Sequence, residues 1–277
     1  MDNSNTAKLT SEDVNMIEKK VQKIREDVLK NILFAESGHP GGSLSCIHIL
    51  TVLYYKILQI YPENFNKKER NHFILSKGHA APTLYSILYE LGFINESTIN
   101  LRDVNSGFQG HPDKKTTFGV ECSTGSLGQG LSVALGIGVF LSNMQSQYKS
   151  YVLVGDGELQ EGVCWETIML AGHIGLNNLV LIVDRNGLQL DGQTEEIVTL
   201  EPLSDKFIAF NWNVIEVDGH NVEDLYNAFT LCNQSKLPVC IIANTIKGYG
   251  IKEFENCCNW HSLRNLEEYK KIIKDII

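Results

Sequence analysis

The 277-residue chain contains no apolar run approaching the ~18 residues of a membrane span. The opening MDNSNTAKLTSED is polar and acidic and does not read as a secretory leader. Among its seven cysteines (Cys46, Cys122, Cys164, Cys232, Cys240, Cys257 and Cys258) there is no CxxC pair, and the count is odd. That argues against a disulfide framework or a zinc ribbon and suits a reducing cytosol. Positive charge is scarce: 24 basic residues stand against 33 acidic ones, a net charge of −9. Nucleic acid and anionic membranes are therefore excluded as partners, and an anionic small molecule needs a local cation such as a metal ion. There is no internal repeat and no low-complexity linker. These absences together predict a soluble, cytoplasmic protein.

What is present is a hydrophobic fraction of 43%, enough for a sizeable core. Residues 1–9 read as a disordered tail, and 10–277 as a single domain. TSED at Thr10 offers a helix cap, and Val14, Ile17, Val21, Ile24, Val28 and Ile32 recur at helical spacing. SGHPGGSLS (37–45) reads as a glycine-proline break, with a second helix over roughly 44–58. His48, among apolar neighbours, reads as a packed core residue. HFILS (72–76) is a strand, 82–91 a helix, and 92–126 mostly loop. GSLGQGLSVALGIGVFL opens an apolar helix whose Gly136 and Gly138 suggest close packing.

From residue 150 onward, Val/Ile-rich strands alternate with helices: YVLV (151–154), NLVLIV (178–183), NVIEV (213–217) and VCIIAN (239–244). Consecutive apolar residues in strands separated by helices predict an α/β fold, a mostly parallel sheet with helices on both faces. Nearly every strand ends in a polar or glycine-rich cluster: SKGHA, GDGE, DRNG, DGHN, TIKG. In an open α/β sheet such clusters crowd the carboxyl edge, where ligands bind.

Asp156 and Asn186 each follow a strand. If those strands are neighbours, their oxygens converge, and with a backbone carbonyl they make a hard ligand set for Mg²⁺ holding a diphosphate. Gly155 and Gly157 let phosphate oxygens approach the backbone, and the helix opening near Gln160 aims free N–H groups at an anion.

The order strand, GDG, helix, strand, Asn resembles thiamine diphosphate enzymes. Over nearly its whole length the chain resembles the N-terminal, diphosphate-binding part of transketolase. The resemblance is carried by SGHPGGSLS (37–45), LSKGHAAPTLY (75–85), GHPD (110–113), STGSLGQGLSVALG (123–136), GDGELQEGVCWE (155–166), DRN (184–186), DG (191–192), TIKGYG (245–250) and NWHSL (259–263). It is nearest to short forms in which the enzyme is divided between two polypeptides.

The resemblance implies that Asp156 and Asn186 ligate Mg²⁺ (or Ca²⁺ or Mn²⁺) by side chain, and Leu188 by its carbonyl. It places His79, Gly155, Gly157, Glu158 and His261 around the thiamine diphosphate, and Gly125, Ser126 and Leu127 near its aminopyrimidine. It makes His39, His111 and His261 the catalytic groups facing the sugar. Glu161 and Glu166 would couple cofactor sites across a subunit interface. The family often has proline where this chain has Ser126, and GHPE where it has GHPD.

The implied reaction is two-carbon ketol transfer from a ketose to an aldose. The chain ends soon after NWHSL, without the later pyrimidine-binding domain. The expectation is one half of a two-gene enzyme, joined in an α2β2 assembly to a C-terminal transketolase-type subunit, and exposing an apolar face near 127–141 when free. Rival readings are a relative moving a two-carbon or acyl unit in a specialised biosynthetic pathway, a deoxyxylulose-phosphate synthase, a 2-oxo acid dehydrogenase α-type subunit, and a non-catalytic module that kept the fold.

Overall fold

A computed structural model describes residues 8–95 and 100–277, so most of the expected N-terminal tail lies outside the described residues. Helix α1 (Ser11–Ala35) starts at a capping box: Thr10 Oγ1 accepts from the Asp13 amide at 3.1 Å, and Asp13 Oδ2 accepts from the Thr10 amide at 3.0 Å. Its Ile17, Val21, Ile24, Val28 and Ile32 are buried.

The sequence predicts a break over 37–45, but helix α2 (Pro40–Ser45) already runs there. Proline at the first helical position has its φ preset and needs no N–H. Helix α3 (Ile47–Val52) and a π-turn (Leu53–Ile57) follow, so the helix predicted from 44 begins four residues earlier and is interrupted at Cys46. Then come strand β1 (His72–Leu75), α4 (Ala81–Glu90), α5 (Gln129–Asn143), β2 (Ser150–Gly155), α6 (Gly162–His173) and β3 (Leu179–Arg185). The chain continues through α7 (Thr194–Ile197), α8 (Leu203–Ala209), β4 (Asn213–Asp218), α9 (Val222–Leu231), β5 (Val239–Asn244) and α10 (Leu266–Ile273). Sequence periodicity leaves α7, α8 and α10 unassigned.

Among the described residues five strands form one sheet, ordered β1-β2-β3-β5-β4, every pair parallel. Pleating divides each strand between two cores. Tyr151, Leu153, Val180 and Ile182 join the core beneath α1, α3, α4, α9 and α10. Val152, Val154, Leu181 and Val183 join the core beneath α5, α6 and α8. Helices therefore cover both faces, as the apolar strands predict.

Parallel strands place all their carboxyl ends at one edge. In the register, Gly155 of β2 lies beside Asp184 of β3, and Arg185 beside Asn244 of β5. The polar clusters following β1, β2, β3 and β5 are thereby brought to one rim. Among the described residues no helix is long and apolar enough to cross a membrane, and the cysteines are unpaired.

Candidate functional site

A cavity of about 360 Å³ opens at the carboxyl edge. It is lined by His39, His79, His111 and His261, by Gly125 and Leu127, by the Gly155–Glu158 turn, by Glu161, Asn186 and Leu188, and by lysines 77 and 247.

Asp156 is 2% exposed at the end of β2. Its Oδ1 accepts from the Gly157 amide at 2.8 Å. Its Oδ2 accepts from the Gly187 amide at 2.6 Å and from Arg185 Nη1 at 3.1 Å. The carboxylate thus sits against the backbone that joins Asn186 to Leu188. Asn186 Oδ1 accepts from the Leu188 amide at 3.1 Å. Burial, then the neighbouring Asp184, push the Asp156 carboxyl above its ordinary range, while Gly187 N–H and Arg185 oppose them.

Four imidazoles cluster opposite. The His39 ring centroid lies 5.5 Å from those of His79 and His261, and 6.1 Å from that of His111. His79 and His261 are 5.4 Å apart. Burial leads the causes that lower all four: His39 falls to about 4 and His261 to about 3, His79 falls well below its ordinary value, and His111 falls too. All four are neutral near pH 7. Two glycines make this crowding possible. A Cβ on Gly42 would lie 2.8 Å from the His79 ring. Gly125 has φ +144°, and a Cβ there would lie 3.1 Å from His111.

Beneath the rim lies an ion pair that the sequence patterns do not single out. Lys77 is 1% exposed and Asp184 0%, and the Lys77 ammonium donates to the Asp184 carboxylate. Ser45 Oγ donates to the same carboxylate at 2.6 Å, and Thr245 Oγ1 donates to its other oxygen. Burial opposes the charge, yet these donors hold the Asp184 carboxyl below its ordinary range. Lys247 is the second unanticipated cation. Its Nζ donates to the Leu188 carbonyl at 3.0 Å and to His261 Nδ1 at 2.9 Å. Burial first, then Lys77, lower its pKa to about 8. A signal for both existed: each lysine sits inside a glycine-flanked cluster at a strand end, SKGHA or TIKG.

Not every candidate faces the cavity by side chain. The Glu158 carboxylate turns inward, accepting from Ser76 Oγ, from the Gly128 amide at 2.8 Å and from the Gly155 amide at 3.1 Å. It pins the turn rather than reaching outward. Ser126 is exposed and outside the lining. Glu161 precedes α6 and lines the cavity, whereas Glu166 lies exposed on α6 beyond it. Neither His173 nor His220 lines the cavity.

The lining suits an anionic group tied to a cation. Lys77 and Lys247 supply positive charge, the Asp156–Asn186–Leu188 corner supplies hard oxygens, and His39 Nδ1 and Gln189 Oε1 are buried without partners. Among the described residues no group of three or more His, Cys, Asp or Glu side chains could hold a metal, so the corner's single carboxylate needs its amide and carbonyl neighbours.

A parallel α/β sheet with Asp156, Asn186 and a histidine cluster lining one cavity at its carboxyl edge defines a cofactor-binding enzyme domain. Residues 16–272 match the family model described as transketolase, thiamine diphosphate binding domain, and the chain belongs to this family. It is 37% identical over 266 residues to an apulose-4-phosphate transketolase subunit from Phocaeicola vulgatus, covering 95% of this chain and 94% of that one. It is 38% identical over 250 residues to 6-deoxy-6-sulfo-D-fructose transketolase subunit SqwG of a Clostridium species, covering 90% and 91%. Human transketolase is 38% identical over 249 residues, and the match spans only 39% of its length. The transketolase structure from Campylobacter jejuni superposes with a TM-score of 0.86 at 33% identity, covering 95% of this chain and 43% of that one.

Proposed function

We propose that this chain is the diphosphate-binding subunit of a divided transketolase, moving a two-carbon ketol unit from an anionic ketose to an aldose. The observation that carries the reading is the meeting of Asp156 with the Asn186–Leu188 backbone beside four neutral imidazoles in one cavity. Asp156, Asn186 and the Leu188 carbonyl would hold Mg²⁺ or a similar divalent cation. The Gly155–Gly157 turn, His79, Lys77 and Lys247 would hold the diphosphate of thiamine diphosphate, with Gly125 and Leu127 beside its ring. When bound, thiamine diphosphate supplies the electron sink for breaking the bond beside a ketose carbonyl.

The histidines handle protons. His261 accepts from Lys247 at Nδ1, so its own proton sits on Nε2, a donor for a sugar oxygen. His39 has a buried, unpartnered Nδ1, and burial lowers its pKa to about 4, so it is neutral and free to accept a hydrogen bond from a sugar hydroxyl. His111, exposed at the mouth, would orient the incoming sugar.

Comparable length to two relatives called subunits, 94% and 91% of them covered, supports a partner chain, which in this reading carries the pyrimidine-binding half and joins it in an α2β2 assembly. Exposed apolar side chains on α5 and α6 and at their C-terminal ends (Val133, Phe140, Met144, Met169, Leu170 and Ile174) support the same reading, since such an assembly would cover them. The two relatives' named substrates, a ketose phosphate and a sulfonated ketose, share an anionic terminus, which supports the substrate class. The same two names favour a specialised pathway over central sugar metabolism. The test is a donor and acceptor screen with and without the partner. Transfer should appear only with both chains. Turnover of xylulose 5-phosphate by this chain alone would refute the divided reading.

A further inference from the structure

Two strand-end motifs, DGHN after β4 and TIKG after β5, pack directly on one another. The Gly219 amide donates to the Asn244 carbonyl at 2.8 Å, and a Cβ on Gly219 would lie 2.4 Å from Thr245 Cγ2. This contact delivers His220 to the turn that carries Lys247. The Ile246 amide donates to His220 Nε2 at 2.8 Å. The His220 ring stacks on Tyr249 with centroids 3.6 Å apart and planes at 12°. Ile246 and Tyr249 therefore grip Lys247 from either side, and both are held by one imidazole.

We propose that His220 is a positioning residue: by accepting the Ile246 N–H, it fixes Lys247 where its ammonium reaches the Leu188 carbonyl and His261. The inference rests on the cofactor-site reading above.

Core packing does not account for an imidazole at this position. Accepting at Nε2 puts the ring proton on Nδ1, and Nδ1 is buried without a partner. Leaving such a donor unmade is unfavourable, so a residue chosen for packing would be apolar. The facing groups are His48, 5.3 Å away by ring centroid, then Tyr249, Asp218, Asp184, Arg25 and Glu255. Burial leads the causes that lower the His220 pKa, which keeps Nε2 an acceptor. His48 is likewise held neutral, at about 3.

Two polar variants separate this role from general packing. In His220→Gln the side-chain oxygen reaches the place of Nε2. In His220→Asn it reaches only the place of Nδ1, where there is no donor. Amide hydrogen exchange at Ile246 in the full chain is the first readout, and it needs no cofactor. Protection should be kept in the Gln variant and fall about tenfold in the Asn variant, the loss of one net hydrogen bond. Calorimetric titration of thiamine diphosphate with Mg²⁺ into the chain plus partner is the second. The Asn variant should bind about tenfold more weakly, with Gln within about threefold of the parent. Equal behaviour of the two variants in both readouts overturns the proposal. If the parent itself fails to bind, the cofactor reading fails, and Ile246 exchange still decides whether His220 fixes the turn.

Discussion

Asp184 carries a charge at full burial because four side chains point donors at it: Lys77, Ser45, Thr245 and, at 3.4 Å, the Asn186 amide. Lys77 in turn donates to the Gly42 carbonyl at 2.9 Å, linking α2 to the ends of β1 and β3. Removing one partner of such a pair is far worse than removing both, since it strands a charge. Asp184→Asn should therefore cost about 3–5 kcal/mol, read as a shift in the urea midpoint at unchanged slope. A loss below about 1 kcal/mol would mean that the pair is solvated rather than buried. At this scale Asp156 and Asn186 are legible in sequence, because a polar residue that ends an apolar strand beside glycine does nothing for packing. Lys77, Asp184 and Lys247 are not. Their charges matter through burial and mutual contact: the strand-end clusters SKGHA and TIKG mark where the two lysines lie, but not that the fold encloses them.

The same helix-weakening residue has opposite meanings at two places among the elements. Glycine in a helix interior costs about 1 kcal/mol relative to alanine. Gly136 in α5 is exposed, and a Cβ there would meet nothing within 4 Å, so in the free chain Gly136→Ala should gain up to about 1 kcal/mol. Gly172 in α6 is buried, and a Cβ there would stand 1.7 Å from the Phe210 carbonyl oxygen. Overpacking of about 1–3 kcal/mol then outweighs propensity, so Gly172→Ala should lower stability. Thermal melts of the two variants moving in the same direction would contradict this. Strands and long helices are legible because periodicity spans many residues. The onset of α2 is not, since HPGG reads as a break until Gly41 and Gly42 are seen packing on Lys247 and His79. Short α7 and α8 owe their helicity to tertiary contacts, with Phe207 of α8 in the core.

Across the whole molecule, buried and half-buried neutral histidines link stability to pH. Unfolded imidazoles protonate near 6.5, whereas His39 holds off until about 4, and His48 and His261 until about 3. Below about pH 6.5 the unfolded chain therefore binds more protons than the folded one, and stability falls as pH falls. Urea midpoints should drop between about pH 7.5 and about pH 5, and His39→Gln should make the slope shallower. A flat profile would mean that the rings are solvated. The order β1-β2-β3-β5-β4 also belongs to this scale. It makes β2 and β3 neighbours, and that adjacency turns two separate motifs into one corner. Sequence predicts parallel strands but not their order, so it leaves open whether Asp156 and Asn186 meet; in the structure both line one cavity.

That corner is the core of the functional account, and cofactor titration tests it most directly. Thiamine diphosphate should bind the chain with its partner only when a divalent cation is present. Asp156→Ala and Asn186→Ala should each weaken that binding by at least about a hundredfold. Parental affinity in either variant, with the same dependence on Mg²⁺, would contradict the assignment of the two residues to one cation.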